Sequence, residues 1–477
     1  PTLIKGAPAP VPEHAIWIGV QPKVKALFAG IDLSFGHPEE ILIAANEDHL
    51  LIAGRDRWDP AHLVVEGRNW TIKGKQQEYG TANAVYTFIH DYLNVRWFWP
   101  GDTGEDVVKK RTIAFAPFTY RYHPQIRSRS GLFRLSALGD SRGHSHDWVR
   151  HQRLQLDSLQ APVTSHAFTD WWERFHEEHP EYFAFQPNGK RSGFPGPRKV
   201  KMCQSNPEVW IQWLQEVSKQ LNEEPLRRVF LGGANDSWNR GICICENCRA
   251  WDHPEAPMTT YSWQGIAQQY VAMTDRYITF ANQLARKLKE RWPKRDYYVK
   301  MGAYGGASSS APIEAVPRDN VLLSNVHTFQ RLLGEKRRRV KEQFAAWAKV
   351  ASNIAWRPNL GGAGWHIALP DCRPRQVIGD IRFVAENNCM GLFFDTIWEH
   401  WATHGPHLYM LGRLAWNPYA DGKAILAEYY QRCFGPAAEE ISAYWVLMED
   451  TRNELIRKGM NRYDVHRMYT PEMLDRA

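Results

Sequence analysis

The chain has 477 residues, 43% of them hydrophobic and 23% charged, a composition that excludes a disordered or fibrous protein. It has no run of about 18 apolar residues, which excludes a helical membrane span. A formal net charge of +7 and a pI of about 8.9 draw acidic partners by long-range steering but do not make the chain a nucleic-acid binder.

Single cores stop growing at about 250–300 residues, so this length predicts two or three domains. Residues 1–120 read as a small α/β domain. Stretches 15–20, 40–44, 49–54 and 70–72 are strand-like. Residues 80–93, GTANAVYTFIHDYL, carry apolar side chains at helical spacing. The Pro- and His-containing segment 116–124 marks the boundary. From about Gln125, short apolar runs alternate with longer helical stretches. The candidate strands are 126–133, 163–166, 200–203, 229–233, 298–303, 321–326, 353–356 and 391–394; helices 208–221, 263–291, 334–351 and 376–386 lie between them. Strand–helix alternation predicts parallel strands with covering helices. Eight such runs fit an α/β fold of the (β/α)8 TIM-like barrel type over 121–418, with a doubly wound sheet as the alternative. The basic run 335–339 lies in a helical pattern and reads as a solvated face. After Asn417-Pro418 the pattern is helical, at 424–433 and 437–458, making 419–477 a C-terminal helical region.

In a barrel of this kind, chemistry sits at the C-terminal ends of the strands. That position selects Arg134, His166, residues 204–206, Asn235 with Asp236, Tyr304, His327, Trp356 with Arg357, and 395–400. Two acidic positions stand out: Asp236, and Asp395 or Glu399. Cleaving a glycosidic bond takes one carboxylic acid to protonate the leaving oxygen and a second group to attack or stabilise the oxocarbenium-like centre. For each acid, a structural role beside an arginine or at a helix cap competes on equal terms. The 21 Trp, 19 Tyr and 20 Phe are mostly core, but many adjoin polar residues, as in Ile397-Trp398-Glu399-His400-Trp401. Flat aromatic faces with a polar neighbour suit sugar rings.

Cys243, Cys245 and Cys248 form a Cys-x-Cys-x-x-Cys cluster shortly after Asp236. Three thiolates could bind structural zinc if Cys203 or His253 supplied a fourth ligand. No second Cys-x-x-Cys pair exists, so a disulfide or reduced thiols are favoured over metal. His176-Glu177-Glu178-His179 has the wrong spacing for a zinc helix. His400, His404 and His407 are separated by Gly405-Pro406, which predicts a helix break. The expectation is an enzyme with no metal and no cofactor.

Four blocks carry a family resemblance: GTANAVYTFIHDYLNVRWFWPGDTGE (80–105), HEEHPEYFAFQPNGKR (176–191) leading to CQSNPEVW (203–210), GANDSWNRGICICENC (233–248), and GLFFDTIWEHWATHGPHLYMLGRLAWNP (391–418). Together they resemble glycoside hydrolase family 163 and its wider relatives. The first block also resembles the small α/β domain that precedes the barrel in β-hexosaminidases and α-glucuronidases. The resemblance implies a catalytic barrel and endo-β-N-acetylglucosaminidase activity on N-glycans, with retention through the substrate's 2-acetamido group. Hexosaminidase-like barrels place adjacent carboxylates after the fourth strand. Here that place holds Asn235-Asp236, so the second acid must come from elsewhere. Glu399 is the choice and Asp395 the competitor. The catalytic pair is thus Asp236 and Glu399. Asn235, His166, Arg134, Tyr304, Trp356, Asp395, Trp398 and His400 would bind the oligosaccharide or polysaccharide. Arginines at 127, 129, 134 and 357 would equally suit an acidic, sulfated or uronic glycan. A non-catalytic glycan-binding protein and a polysaccharide lyase are the readings from other classes. The chain starts at Pro1 without an apolar leader, and a secreted or periplasmic location is expected.

Overall fold

The computed structural model describes residues 6, 9–58, 76–131, 144–154, 166–225, 227–233, 235, 239–358, 373–394, 401–460 and 464–477. Near the N-terminus the apolar run Ile41–Ala45 is buried on both faces, as a central strand must be. It pairs antiparallel with His49–Gly54 and with Phe118–Tyr122, and Ala15–Ile18 adds parallel to the far side of His49–Gly54. Strand alternation sorts the side chains. Leu42, Ala44, Leu51 and Ala53 meet Trp17, Val24 and Phe28 on one face. Ile41, Ile43, Leu50 and Ile52 meet Ala84, Phe88 and Trp416 on the other. Ala84 and Phe88 belong to Gly80–Thr87 and its π-helical continuation Phe88–Tyr92. Trp416 comes from the far end of the chain, and its carbonyl accepts the Tyr122 hydroxyl at 2.6 Å. The strand-like residues 70–72 lie outside the described residues.

A second sheet holds Val229–Leu231, Tyr298–Ala303, Val321–Asn325, Ile354–Trp356, Cys389–Phe393 and Ser128–Gly131 in that spatial order, every neighbour parallel. The order follows the chain except that the first strand in sequence closes the far edge, as in a barrel opened between its first and fourth strands. By chain order the two remaining candidates would belong in that gap. Of 163–166 only His166 is described. Residues 200–203 form no strand of this sheet. Their backbone is engaged by the preceding turn instead, with Ala184 N–H on the Lys201 carbonyl at 2.9 Å and Cys203 N–H on the Tyr182 carbonyl at 2.8 Å. The architecture is therefore mixed α/β with a parallel half-barrel sheet, and closure into a (β/α)8 barrel is not seen among the described residues.

Helices Thr274–Arg291, Gly334–Val350 and Pro374–Glu386 cover one face of this sheet. Their Leu284, Phe344, Trp347, Val377, Ile381 and Val384 pack with Phe230, Val299, Met301, Leu323, Ile354 and Trp356 in one core. Alternation then assigns Leu231, Lys300, Gly302, Ser324, Ala355, Arg357 and Phe393 to the opposite face.

Two sequence expectations are corrected. The helix expected from 263 starts at Thr274, because Met258–Trp263 and Ile266–Val271 form an antiparallel hairpin. Its two-residue loop, Gln264-Gly265, has φ of 47° and 86°, the positive values that a type I′ turn requires. The break expected at Gly405-Pro406 does not occur, since Trp401–Trp416 runs through Pro406 as one helix. A proline there forfeits a backbone hydrogen bond. Full burial of Leu408, Tyr409, Met410, Leu411, Leu414 and Ala415 outweighs that loss, at about 1.5–3 kcal/mol per large side chain. Toward the C-terminus lie Gly422–Phe434, capped by Asp421 Oδ1, Ala438–Arg457 and the short helix Pro471–Leu474. Among the described residues no helix is long and apolar enough to cross a membrane.

Candidate functional site

The Val229–Leu231 strand leaves the sheet through Gly232 and Gly233. Gly232 has no room for a side chain, since a Cβ would lie 2.6 Å from Val299 Cγ1 and 2.9 Å from Leu284 Cδ1. The chain therefore passes tightly over the sheet edge. Asn235 follows, 4% exposed. Its carbonyl accepts a hydrogen bond from Lys201 Nζ, and its side-chain amide points to the carbonyls of Phe168 at 3.4 Å and Val200 at 3.5 Å. Lys201 is itself only 6% exposed. A buried ammonium is costly unless hydrogen-bonded, so this contact fixes both partners. Phe168, Lys201, Asn235, Met273, Arg276 and Tyr277 line a cavity of about 20 Å³ beside it, room for roughly one water. Beneath it Arg276 and Asp252 form a buried ion pair, Nε to Oδ1 2.8 Å, and the same guanidinium holds the Cys243 carbonyl at 2.7 Å.

Of the residues selected from sequence, Asp236, Arg134, Asp395, Trp398, Glu399 and His400 lie outside the described residues. His166 is exposed. Tyr304, half-buried, ends the Tyr298–Ala303 strand, and Ser308 Oγ fastens its backbone, accepting from its N–H at 3.3 Å and donating to its carbonyl at 3.0 Å. Trp356 does not face an opening. It is fully buried on the helix-covered side, stacked on Phe329 at 4.6 Å, with its indole N–H on the His327 carbonyl at 2.9 Å. The side chain that alternation turns to the other face is its neighbour Arg357, whose guanidinium lies 6.0 Å from the Phe393 ring.

Arg129 is likewise no ligand for an acidic sugar. It is fully buried, paired with Glu39 at 2.5 Å, and donates to the carbonyls of Arg153, Ile126 and Arg127. In the basic run 335–339, Arg338 and Arg339 pair with Glu335 on the solvent side, while Arg337 reaches Asp380.

Two groups at this sheet gain weight from the structure. Lys300, 9% exposed, lies mid-strand on the face opposite the helices, its ammonium 5.3 Å from the Phe393 ring centre. A lysine inside the apolar run 298–303 was the available signal, and it went unused. His327, just past the Val321–Asn325 strand, holds Asn325 Oδ1 at 2.5 Å through Nδ1. Burial pushes its ionisation down to about 4, so it is neutral near pH 7.

The cysteines converge. The sulfurs of Cys203, Cys243, Cys245 and Cys248 all lie within 4.8 Å of one another, and all four are free thiols. His253, the other candidate partner, is not in the group; its Nδ1 accepts the Glu255 N–H at 3.2 Å.

Residues 99–446 match the family model described as a domain of unknown function, DUF4838. No curated protein matches the chain. Among solved structures there is weak likeness to glycoside hydrolases. A chain described as the structure of CpGH84B has 10% identity and a TM-score of 0.31, over 88% of this chain and 65% of that one. The Flavobacterium johnsoniae chitobiase FjGH20 has 10% identity and a TM-score of 0.37, over 89% and 63%. A GH138 enzyme targeting pectin rhamnogalacturonan II has 10% identity and a TM-score of 0.25, over 93% and 52%. The chain thus spans between half and two thirds of the length of these structures. With most of its length covered by one family model, the chain belongs to the DUF4838 family.

Proposed function

We propose that the chain is a glycoside hydrolase acting on a glycan or polysaccharide outside the cytoplasm, with Asp236 and Glu399 as its working carboxylates. The observation that carries the reading is the anchoring of Asn235, the residue before Asp236, at the C-terminal end of a parallel strand. A buried lysine that holds the backbone carbonyl of Asn235 is the kind of support that a catalytic side chain needs to keep its geometry. The four sequence blocks that resemble glycoside hydrolase family 163 support the finer reading, an endo-β-N-acetylglucosaminidase. In that chemistry one carboxylate accepts the N–H of the 2-acetamido group. The acetamido oxygen then attacks C1 as the second carboxyl gives its proton to the leaving oxygen. Water opens the resulting oxazoline and configuration is retained.

Asp236→Asn and Glu399→Gln, assayed by mass spectrometry on an N-glycan substrate, are expected to lower turnover by about 10²–10⁴-fold. Near-normal turnover in either variant removes that residue from the mechanism. Lys300 and Arg357 on one sheet face favour a second reading, hydrolysis of an acidic polysaccharide, since paired cations suit carboxylate or sulfate groups. Cleavage of a sulfated or uronic polymer, with none of a neutral N-glycan, would select it.

A further inference from the structure

Cys203 comes from one part of the chain, and Cys243, Cys245 and Cys248 from another, forty residues on. Cys203 follows the isolated bridge between Phe183 and Met202. Cys243 and Cys245 sit in the loop after the Arg240 bridge, and Cys248 lies in the short helix Glu246–Arg249. Backbone hydrogen bonds lace the segments together: Cys203 N–H to Tyr182 at 2.8 Å and Ile244 N–H to Phe185 at 2.9 Å. The thiols are therefore brought together by fixed backbone, not by chance rotamers.

The spacing distinguishes the chemistry. Cys243 and Cys245 sulfurs are 3.5 Å apart, Cys203 and Cys245 3.7 Å, Cys203 and Cys248 3.9 Å. A disulfide requires about 2.05 Å, and it would use two thiols and strand two. A tetrahedral metal with bonds of about 2.3 Å to sulfur separates its ligands by about 3.8 Å, which these distances match. We propose that these four cysteines form a structural zinc site.

An all-sulfur tetrahedral set selects zinc or iron over harder cations. With four protein ligands no coordination position stays open, so the ion's role is to hold structure. Loading balances as one Zn²⁺ taken up and four thiol protons released, leaving a centre of net charge −2. The surroundings suit that charge. Phe185 N–H points at Cys243 Sγ from 3.3 Å, and Ser205 Oγ lies 3.1 Å from Cys248 Sγ. Such outer partners stabilise thiolate ligands. Three of the four cysteines are buried, Cys245 only partly exposed, which shields the ion from chelators and the sulfurs from oxidants. The site ties the loop that follows Asn235 to the segment that carries Lys201.

The test is metal analysis of the purified full chain, with Cys203→Ser, Cys248→Ser and, as a control outside the group, Cys433→Ser. About one zinc per chain is expected, unchanged in Cys433→Ser and lowered about ten-fold or more in the other two. In the native chain, which needs no variant to fold, cobalt(II) replacing zinc should give the visible bands of a tetrahedral thiolate centre. Stripping the metal should lower the melting temperature, and zinc but not magnesium should restore it. Less than about a tenth of a zinc per chain, iron in its place, a disulfide among the four by mass, or thiols that react equally fast with and without zinc would each overturn the proposal.

Discussion

Arg129 joins the two sheets. It sits in the Ser128–Gly131 edge strand of the parallel sheet, while its partner Glu39 lies just before Ile41–Ala45 of the small sheet. Both side chains are essentially inaccessible. The guanidinium also satisfies the carbonyls of Arg153 at 2.9 Å and Ile126 at 2.7 Å, and stacks over Trp416 at 5.2 Å. In Arg129→Met the volume is kept but Glu39 loses the Arg129 cation. The carboxylate keeps Asn83 Nδ2 at 3.3 Å, an amide that cannot balance a charge. Breaking a buried pair from one side costs about 3–5 kcal/mol, and the carbonyls that lose donors act in the same direction. Urea unfolding of the wild type and Arg129→Met should show that loss as a shifted midpoint. Adding Glu39→Gln removes the stranded charge and should return about half of it or more. A loss under about 1 kcal/mol in the single variant, or no recovery in the double, would refute the reasoning, because the pair would then be shielded by water.

Gly232→Ala should destabilise by about 1–3 kcal/mol through overpacking against Val299 and Leu284, with partial rescue by Val299→Ala; an unchanged melting temperature would contradict the close approach. His327 is held neutral by burial, with its ionisation pushed down to about 4. The unfolded chain therefore binds its proton first, near pH 6.5. The stability is present above that pH and is lost as pH falls toward 4, on the order of 3 kcal/mol. In His327→Gln that part of the acid loss should vanish, and an identical pH profile would exclude His327 as its source. Lys300→Met should lower kcat/KM on the true substrate about ten-fold or more while leaving the unfolding free energy in urea within about 1 kcal/mol; full activity would remove Lys300 from the site.

Much of the scaffold was legible because buried parallel strands are short apolar runs. The Tyr298–Ala303 strand has the expected bounds, and the five other strands of its sheet differ from expectation by one or two residues at one end or both. Direction within a strand was harder. Trp356 and Arg357 are adjacent, and a one-residue offset exchanges the helix-covered face for the other one. Only the register, with Trp356 opposite Asn325 and Leu392, settles which is which. Pro406 misled for another reason. Its local cost is real, but the helix is held by burial on most of its surface, a tertiary effect that local propensity cannot report. The 258–271 hairpin hid because Gln264 is an unusual turn residue, although Gly265 beside it was a usable sign.

Spacing left Cys203 as only one of two candidate fourth members of the cysteine group, because it is remote, forty residues before Cys243. What brings it in is the backbone pairing of 182–185 with both 201–203 and 244, and no local motif encodes that. The same segment explains why Asn235 is fixed. Lys201 and Cys203 stand two apart on extended chain, so they project to the same side, one to the Asn235 carbonyl and the other to the thiols. Met202 between them packs into the core. The loop from Gly232 to Met273 is thus fastened to one short segment at two points. Lys201→Met separates these attachments. It should cost about 1–3 kcal/mol from the unsatisfied carbonyl and lower glycan turnover through the loosened residue before Asp236, while the metal content stays that of the wild type. If turnover were unchanged while the stability loss appeared, the anchor would be structural only, and Asp236 would have to be held by something other than Asn235.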